Sequence, residues 1–571
     1  MIGSLPPFAL FFLGALLVPL VRGIPRAVLL LLIPAIGALN VASMEPGQVM
    51  ELQLLGYTLT PVRVDRLSLL FGYLFHLAAF IGIVYSLHLK REDRDTTQHV
   101  SAVLYAGAAL GAVFAGDLIT LFVFWELLAL TSVFLIWTRR KPTAVASGMR
   151  YLIIQVVSGV TLLAGILVHA HERGSIEFGP IGIEGLGGKL ILLGVGVKAA
   201  FPFLHTWLTE AYPEGTATGT VFLSAFTTKA AVYTLARGFP GTEVLIYVGA
   251  FMACYPIFFA VIENDLRKVL SYSMMNQIGF MVVGVGIGSD LAVNGAVAHA
   301  FNDVLFKGLL FMSMGAVLYV TGTTKASELG GLYKTMPITT ILCIVGALSI
   351  SAVPFFNGFV SKAMIMSALL HEHQNAIWLV MLFASAGVVE HAGIKIPFFA
   401  FFAHDSGIRA KEPPVNMLVA MTIGATLCIA IGIMPRLLYD RLPFPVDYSP
   451  YDATHVLTQV QLLLFAVGAV VALKLAKIYP PEIPSTNVDA EWFYRKLAPA
   501  VVRGIGGAVA AADRSIRTAA VGAVRGVLNR SFRAHGPAGP LARTWPSGSM
   551  LLWVAVLLSA ILAFYYVGPP S

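Results

Sequence analysis

The sequence predicts an all-α polytopic membrane protein, a single large helical bundle whose solvent is lipid, and three observations predict it. Of the 571 residues, 57% are hydrophobic and 12% charged, with a mean hydropathy of +0.80. A water-soluble fold of that balance would lack the polar groups to cover its surface. Apolar stretches of about 20 residues, each long enough to cross roughly 30 Å of hydrocarbon as a helix, recur about 16 times. No polar region before residue 480 is long enough for a soluble core, so no separate catalytic domain is expected.

The elements follow in order. Met1 to Leu20 lacks a basic leader and a small-residue cleavage signal, and reads as a retained first span within an N-terminal group of helices over 1–97. Residues 98–240 and 243–405 read as two repeats of about five spans each, and 412–478 as further spans. From 483 to 546 the composition changes, with Arg503, Arg514, Arg517, Arg525, Arg530 and Arg533 among Ala, Val and Gly. Arg503, Arg514 and Arg525 are 11 residues apart, close to three helical turns, while Val502, Ile505, Val509 and Ile516 lie mostly on other faces. That predicts an amphipathic helix along the cytoplasmic surface, held by anionic lipid or acting as a clamp along the bundle or a neighbour. Residues 548–568 form the last span.

With the N-terminus outside, the odd loops carry most of the Lys and Arg, including Lys90, Arg91, Arg139, Lys141, Arg267 and Lys268. The even loops carry few, so the odd loops face the cytoplasm. The formal charge of +8 therefore sets orientation and does not point to nucleic acid. Cys254, Cys343 and Cys428 each stand alone in apolar stretches, with no paired spacing for a cluster, zinc or redox disulfide. They read as buried structural thiols. No feature is recognisable as a site for NADH, flavin, quinone or haem, so no cofactor is expected.

A charge near the bilayer centre costs roughly 3 kcal/mol, which makes each one in a span a candidate functional residue. Glu126 lies in LITLFVFWELLALTSVFLIW, and Lys198 and His205 in LILLGVGVKAAFPFLHTWLTEAYPEG, where Pro202 breaks the helix mid-membrane. Lys229 follows in TVFLSAFTTKAAVYTLARGF. His299, Asp303 and Lys307 recur at steps of four, which stacks them on one helix face like a relay. Lys362 follows a second interruption at Pro354 and Gly358, and Lys395 lies beside Glu390 and His391. Lys198 to Lys229 is 31 residues and Lys362 to Lys395 is 33, with a broken helix carrying the first lysine each time, which is the ground for two repeats. Bland readings stand beside these: Lys229 and Lys395 as snorkelling residues, Glu126 with Lys198 as a structural pair, and His205 and Asp303 as partners for broken backbone.

LFVFWELLALTS, GVKAAFPFLHTWLTEAYPEG, FTTKAAVY, ENDLRKVLSYSMMNQIGFM and HAFNDVLFKGLLFM together resemble the antiporter-like proton-translocating subunits of complex I and the large subunits of Mrp-type cation/proton antiporters, over about residues 60–440. The resemblance implies a core of about 14 helices with two inverted five-helix repeats around a hydrophilic axis. It assigns Glu126 and Lys198 to a first half-channel, Lys229 to the continuing axis, and His299, Lys307 and Lys362 to a second. Lys229 looks like the other complex I members and the D-type Mrp subunit, whereas the C-terminal helix and span look like the largest complex I member. Asp303 stands where many relatives have a second histidine, and the stretch of Glu390, His391 and Lys395 is more charged than theirs.

These readings predict a proton-translocating subunit of a multisubunit complex in the bacterial inner membrane. Its partners would be other membrane subunits, lipid, H+ and Na+. A cation/proton antiporter of Mrp type is the leading expectation. The alternatives are the pumping subunit of a complex I-like or hydrogenase-linked oxidoreductase, with redox chemistry in partner subunits, or the energising subunit of an inorganic carbon uptake complex.

Overall fold

The computed structural model describes residues 5–54, 56–89, 93–480, 482–484 and 487–567, so Lys90 and Arg91 lie outside the described residues. The chain divides into two compact units, Met1–Asn487 and Val488–Ser571. The first opens with α1 (Ala9–Leu17), α2 (Ile24–Ala42), an antiparallel hairpin of β1 (Val49–Leu54) and β2 (Tyr57–Arg63), and α3 (Arg66–Ser86). The hairpin is absent from the all-α expectation. It turns at Gly56, whose φ of +84° a side chain would resist, and β1 alternates Val-Met-Glu-Leu-Gln-Leu as a strand does.

Two successive sets of helices follow. The first comprises α4 (Asp93–Phe114), α5 (Leu118–Ser132), α6 (Phe134–Trp137), α7 (Pro142–Arg173), α8 (Leu186–Lys198), α9 (Thr206–Ala211), α10 (Gly219–Ala225) and α11 (Thr227–Gly238). The second comprises α12 (Val244–Ile262), α13 (Leu266–Ile287), α14 (Asp290–Thr321), α15 (Pro337–Ile350), α16 (Asn357–His371), α17 (Asn375–Val388) and, after a π turn over Val389–Ile394, α18 (Lys395–Pro397). Then come α19 (Val415–Ile433), α20 (Arg436–Tyr439) and α21 (Ala453–Leu475). The chain has an almost wholly helical membrane fold.

Twelve helices among the described residues are long and apolar enough to cross a membrane. Counting the short α1 and the interrupted α8–α9, α10–α11 and α15–α16 once each brings the number to the expected 16 or so. α13 is the most enclosed of the twelve, with 94% of its span buried, and α14 runs beside it at 78%.

The two sets share a ruler. Asp117 caps α5 by accepting from Thr120 N–H at 2.7 Å, and Asp265 caps α13 by accepting from Arg267 N–H at 2.8 Å. Asp117 bridges to Glu177 and Asp265 to Lys325, each member of the second pair 148 residues beyond its counterpart. α7 and α14 are both 32 residues long and begin 148 apart. The breaks also correspond. After α8, Ala200 and Phe203 take φ of +60° and +67°. After α15, Ala352 and Phe355 take +56° and +74°, 152 residues on, with Pro202 and Pro354 between them. Left-handed backbone costs a non-glycine residue about 1–2 kcal/mol, which packing must offset. The expectation that each break carries a lysine holds with a twist: Lys198 is the last residue before the first break, whereas Lys362 lies in the second turn after the other.

Arg267 corrects the reading of it as a solvated loop cation. It is 1% exposed, and its guanidinium donates to the carbonyls of Pro213, Gly215 and Thr216 at 2.9–3.2 Å, holding the connection between α9 and α10.

In the second unit, α22 (Ala498–His535) is a 38-residue helix preceded by a π turn at Phe493–Leu497, shorter at both ends than the expected 483–546. α23 (Ser547–Val567) is the last span. Neither helix contains a buried residue.

Candidate functional site

Every charged residue singled out between Lys198 and Lys362 is buried. Lys198 ends α8, and its ammonium donates to the backbone carbonyl of Trp125 and lies 4.8 Å from that indole's centre. Trp125 Nε1 donates to Ser158 at 3.0 Å, and the Ser158 hydroxyl donates to the Gly194 carbonyl at 2.7 Å, so α5, α7 and α8 are tied around the lysine. Glu126, the next residue of α5, points at Gly159 of α7. A Cβ on that glycine would fall on the carboxylate. Glu126 Oε1 is buried without a hydrogen-bond partner among the described residues. The expected Glu126–Lys198 contact pair is therefore open here, with the Trp125 peptide holding the lysine in the carboxylate's place.

Lys229 begins α11 just after a kink at Phe226. Its ammonium forms an ion pair with Asp303 of α14 and donates to the Ser224 carbonyl at 3.3 Å. Both side chains are 0% exposed, which removes snorkelling as a reading of Lys229. Asp303 meets a charge from the first set of helices, not broken backbone, and so joins the two sets.

On α14, His299 bridges α13 and α16: Nε2 is 3.0 Å from Gln277 Oε1 and Nδ1 is 2.9 Å from Ser361 Oγ. The Gln277 amide nitrogen donates to Asn276 Oδ1 at 2.6 Å, and Asn276 in turn donates to the Ala253 carbonyl. That turns the Gln277 oxygen, an acceptor, toward Nε2, and sets the Ser361 hydroxyl at Nδ1. Lys307 donates to Ser273 at 2.7 Å. Lys362 lies 4.9 Å from the Phe280 ring, with longer contacts to Ile350 O at 3.4 Å and Ser385 Oγ at 3.5 Å.

Two candidates stand apart from this line. His205 lies at the first break, its ring 5.6 Å from that of Tyr255 and edge-on to it. Lys395 is buried at one end of the bundle. It donates to the carbonyls of Val261 and Glu263 at 2.5 and 2.8 Å, where α12 ends, and pairs with Glu482 at 2.9 Å. Nearby, Tyr479 donates to Glu390 at 2.5 Å. The extra charge of this stretch thus goes into latching the segment after α21.

The 148-residue ruler sets His299, Asp303 and Lys307 opposite Tyr151, Gln155 and Gly159 of α7. In the first set α5 supplies the charge, Glu126, and α7 makes room with glycine. In the second, α14 supplies it as Lys307, and α13 answers with Ser273. Trp125, Gly159, Ser273, Gln277 and Ser361 escaped the sequence reading. The amides of the MMNQIG run were the one available signal, since two adjacent amides within an apolar helix need partners.

Residues 115–387 match the family described as NADH:quinone oxidoreductase/Mrp antiporter, transmembrane. The chain is similar to the A1-type component of the Na(+)/H(+) antiporter of Staphylococcus haemolyticus, at 30% identity over 446 residues, covering 70% of this chain and 55% of that protein. It is also similar to the A-type component of the Na(+)/H(+) antiporter of Alkalihalophilus pseudofirmus, at 31% over 427 residues, covering 66% and 53%. The chain spans about half the length of these curated relatives. Among solved structures it shares its fold with a chain of the Mrp complex from Dietzia sp. DQ12-45-1b (TM-score 0.67, 19% identity, 80% of this chain and 97% of that one). It also shares it with a chain of the membrane-bound sulfane sulfur reductase, an archaeal respiratory membrane complex (0.71, 19%, 98% and 100%), and one of respiratory complex I from Thermus thermophilus (0.65, 20%, 77% and 98%).

Proposed function

We propose that this chain, whose residues 115–387 match the NADH:quinone oxidoreductase/Mrp antiporter transmembrane family, is the proton-translocating subunit of a multisubunit monovalent cation (Na+)/H+ antiporter of Mrp type in the bacterial inner membrane. The observation that carries the reading is the Lys229–Asp303 ion pair, which links the Lys198 end of the buried line to the His299, Lys307 and Lys362 end. A structural scaffold has no use for so many desolvated charges.

The chemistry is proton transfer governed by proximity of charge. With Lys198 on the Trp125 carbonyl, the Glu126 Oε1 atom has no hydrogen-bond partner among the described residues. When the lysine moves to Glu126, the ammonium form is favoured and a proton is recruited, and return to the carbonyl favours its release. The next charge in line feels the change through a low-dielectric interior, where Coulomb interactions reach farther than in water. Lys229 and Asp303 pass it to α14, and His299, Lys307 and Lys362 carry it on. His205 and Lys395 flank the route.

Lys229 supports a D-type identity, while the names of the relatives support the corresponding portion of an A-type one. Co-purification with the other members of the complex distinguishes them. The full-length likeness to a chain of a respiratory complex keeps the redox-driven pump as the second reading.

The test is proton flux in everted vesicles from cells expressing the complex, on addition of sodium, for wild type, Glu126→Ala and Lys198→Ala. A sodium-triggered pH change lost in both variants, with assembly intact, is expected. Wild-type flux in either variant would sink the mechanism. Flux that ignores sodium but follows an electron donor would move the chain to the pump class.

A further inference from the structure

Lys362 is held more loosely than Lys307. Its hydrogen-bond contacts are 3.4 and 3.5 Å, against 2.7 Å for Lys307, and a cavity of about 90 Å³ opens beside it. That is room for a short file of waters. Lys362, Ser385, Thr458, Gln459 and His455 supply polar groups to its wall from α16, α17 and α21.

His455, in the first turn of α21, is an oriented imidazole. Its Nδ1 lies 2.6 Å from Asp452 Oδ2, and its Nε2 lies 2.6 Å from Ser367 Oγ, five residues past Lys362 on α16. Asp452 also caps α21 by accepting the His455 N–H at 2.7 Å, so one carboxylate fixes both backbone and ring. A carboxylate at Nδ1 keeps a proton there, and Nε2 is turned inward onto Ser367 Oγ, whose hydroxyl also reaches the Ala363 carbonyl at 2.9 Å. Besides Asp452, the titratable groups facing this end are Lys362 across the cavity and Tyr448, whose hydroxyl is 3.1 Å from Ser367 Oγ. The His455 side chain is 25% exposed and Asp452 50%, so the line passes from a buried ammonium to the surface of the chain. It emerges at the end of the bundle where α16 stops and α17 and α21 start.

We propose that His455, positioned by Asp452, is the port through which Lys362 exchanges protons with the aqueous phase at that end. The inference rests on the proton-translocating reading given above. In the outward step, the ammonium of Lys362 gives a proton to the water file and becomes an amine. His455 takes a proton at Nε2 and becomes an imidazolium beside the Asp452 carboxylate, and loss of a proton to bulk water restores the neutral ring. Inward flow reverses each transfer.

The experiment is flux in everted vesicles containing the full complex, with His455→Gln and Lys198→Ala in parallel and assembly measured for each. Glutamine can still hydrogen-bond to Ser367 and Asp452 but cannot carry the proton. Flux in His455→Gln is expected to fall by on the order of a hundredfold and to recover when imidazole is added to the medium. Wild-type flux in His455→Gln overturns the port, and so does a loss that imidazole leaves untouched, because that marks a packing role. If Lys198→Ala retains flux, the functional reading itself fails. If Lys198→Ala is inactive while His455→Gln is active, only the port fails.

Discussion

Asp303→Asn keeps the shape of the side chain and removes its charge, which leaves the Lys229 ammonium facing an amide and the Ser224 carbonyl at 3.3 Å. Both partners are 0% exposed, so water cannot take over the role of the carboxylate. Removing one member of a buried pair costs about 3–5 kcal/mol, of which a hydrogen bond from the ammonium to the asparagine amide oxygen returns about 1.5–3. The net loss is about 2 kcal/mol, roughly a thirtyfold change in equilibrium. Thermal denaturation of the purified complex should register it, and proton flux should fall with it. Adding Lys229→Gln removes the stranded charge, so the double variant should regain most of the stability and none of the flux. Equal stability of Asp303→Asn and the double variant would mean that the two groups do not interact. Wild-type flux in Asp303→Asn would take the pair off the route.

Gly159→Ala should displace the Glu126 carboxylate and lower flux as Glu126→Ala does while assembly is retained; unchanged flux would show that the carboxylate has other room. Ser273→Ala removes the 2.7 Å acceptor of Lys307 and should slow transport by about tenfold, given about 1.5 kcal/mol for a charged hydrogen bond, read as initial flux rate. Arg267→Leu strands the Gly215 carbonyl and takes one donor each from those of Pro213 and Thr216, and should cost about 3 kcal/mol, seen as poor yield and a lowered melting temperature of the complex. Burial works to raise the Asp65 carboxyl, but Arg237 and the Ser68 N–H outweigh it and hold its pKa below the usual value. A depressed acid stabilises the fold above its unfolded pKa, and the contribution is lost as pH falls through the folded one. Melting temperature followed from pH 6 down to about 3 should therefore drop less steeply in Asp65→Asn than in wild type.

Charges standing out of apolar runs made Glu126, Lys198, Lys229 and Lys362 legible in sequence as candidates, because each is costly in a span. The breaks were legible through Pro202 and Pro354, yet the strained backbone lies at Ala200, Phe203, Ala352 and Phe355, residue types that carry no such signature. The partner of Lys229 was hidden because Asp303 lies 74 residues away and is brought to it only by packing of α11 on α14. Gly159 was hidden because a glycine in an apolar helix reads as close packing, and its use as a berth for a carboxylate needs the neighbouring helix in place. The hairpin over residues 49–63 did show alternation and a turn glycine, but the strength of the helical signal around it drowned a two-strand one.

The four-residue steps on α14 also fix a depth scale. At 1.5 Å of rise per residue, His299 and Lys307 are separated by about 12 Å along the helix, a sizeable fraction of the roughly 30 Å over which a membrane potential falls. A proton carried that far along a helix near the bilayer normal does electrical work of about 1 kcal/mol per 100 mV. If His299, Asp303 and Lys307 relay protons as proposed, the helix that holds them also makes their bias depend on voltage, so that an energised membrane and a collapsed one would populate different protonation patterns on the same three side chains.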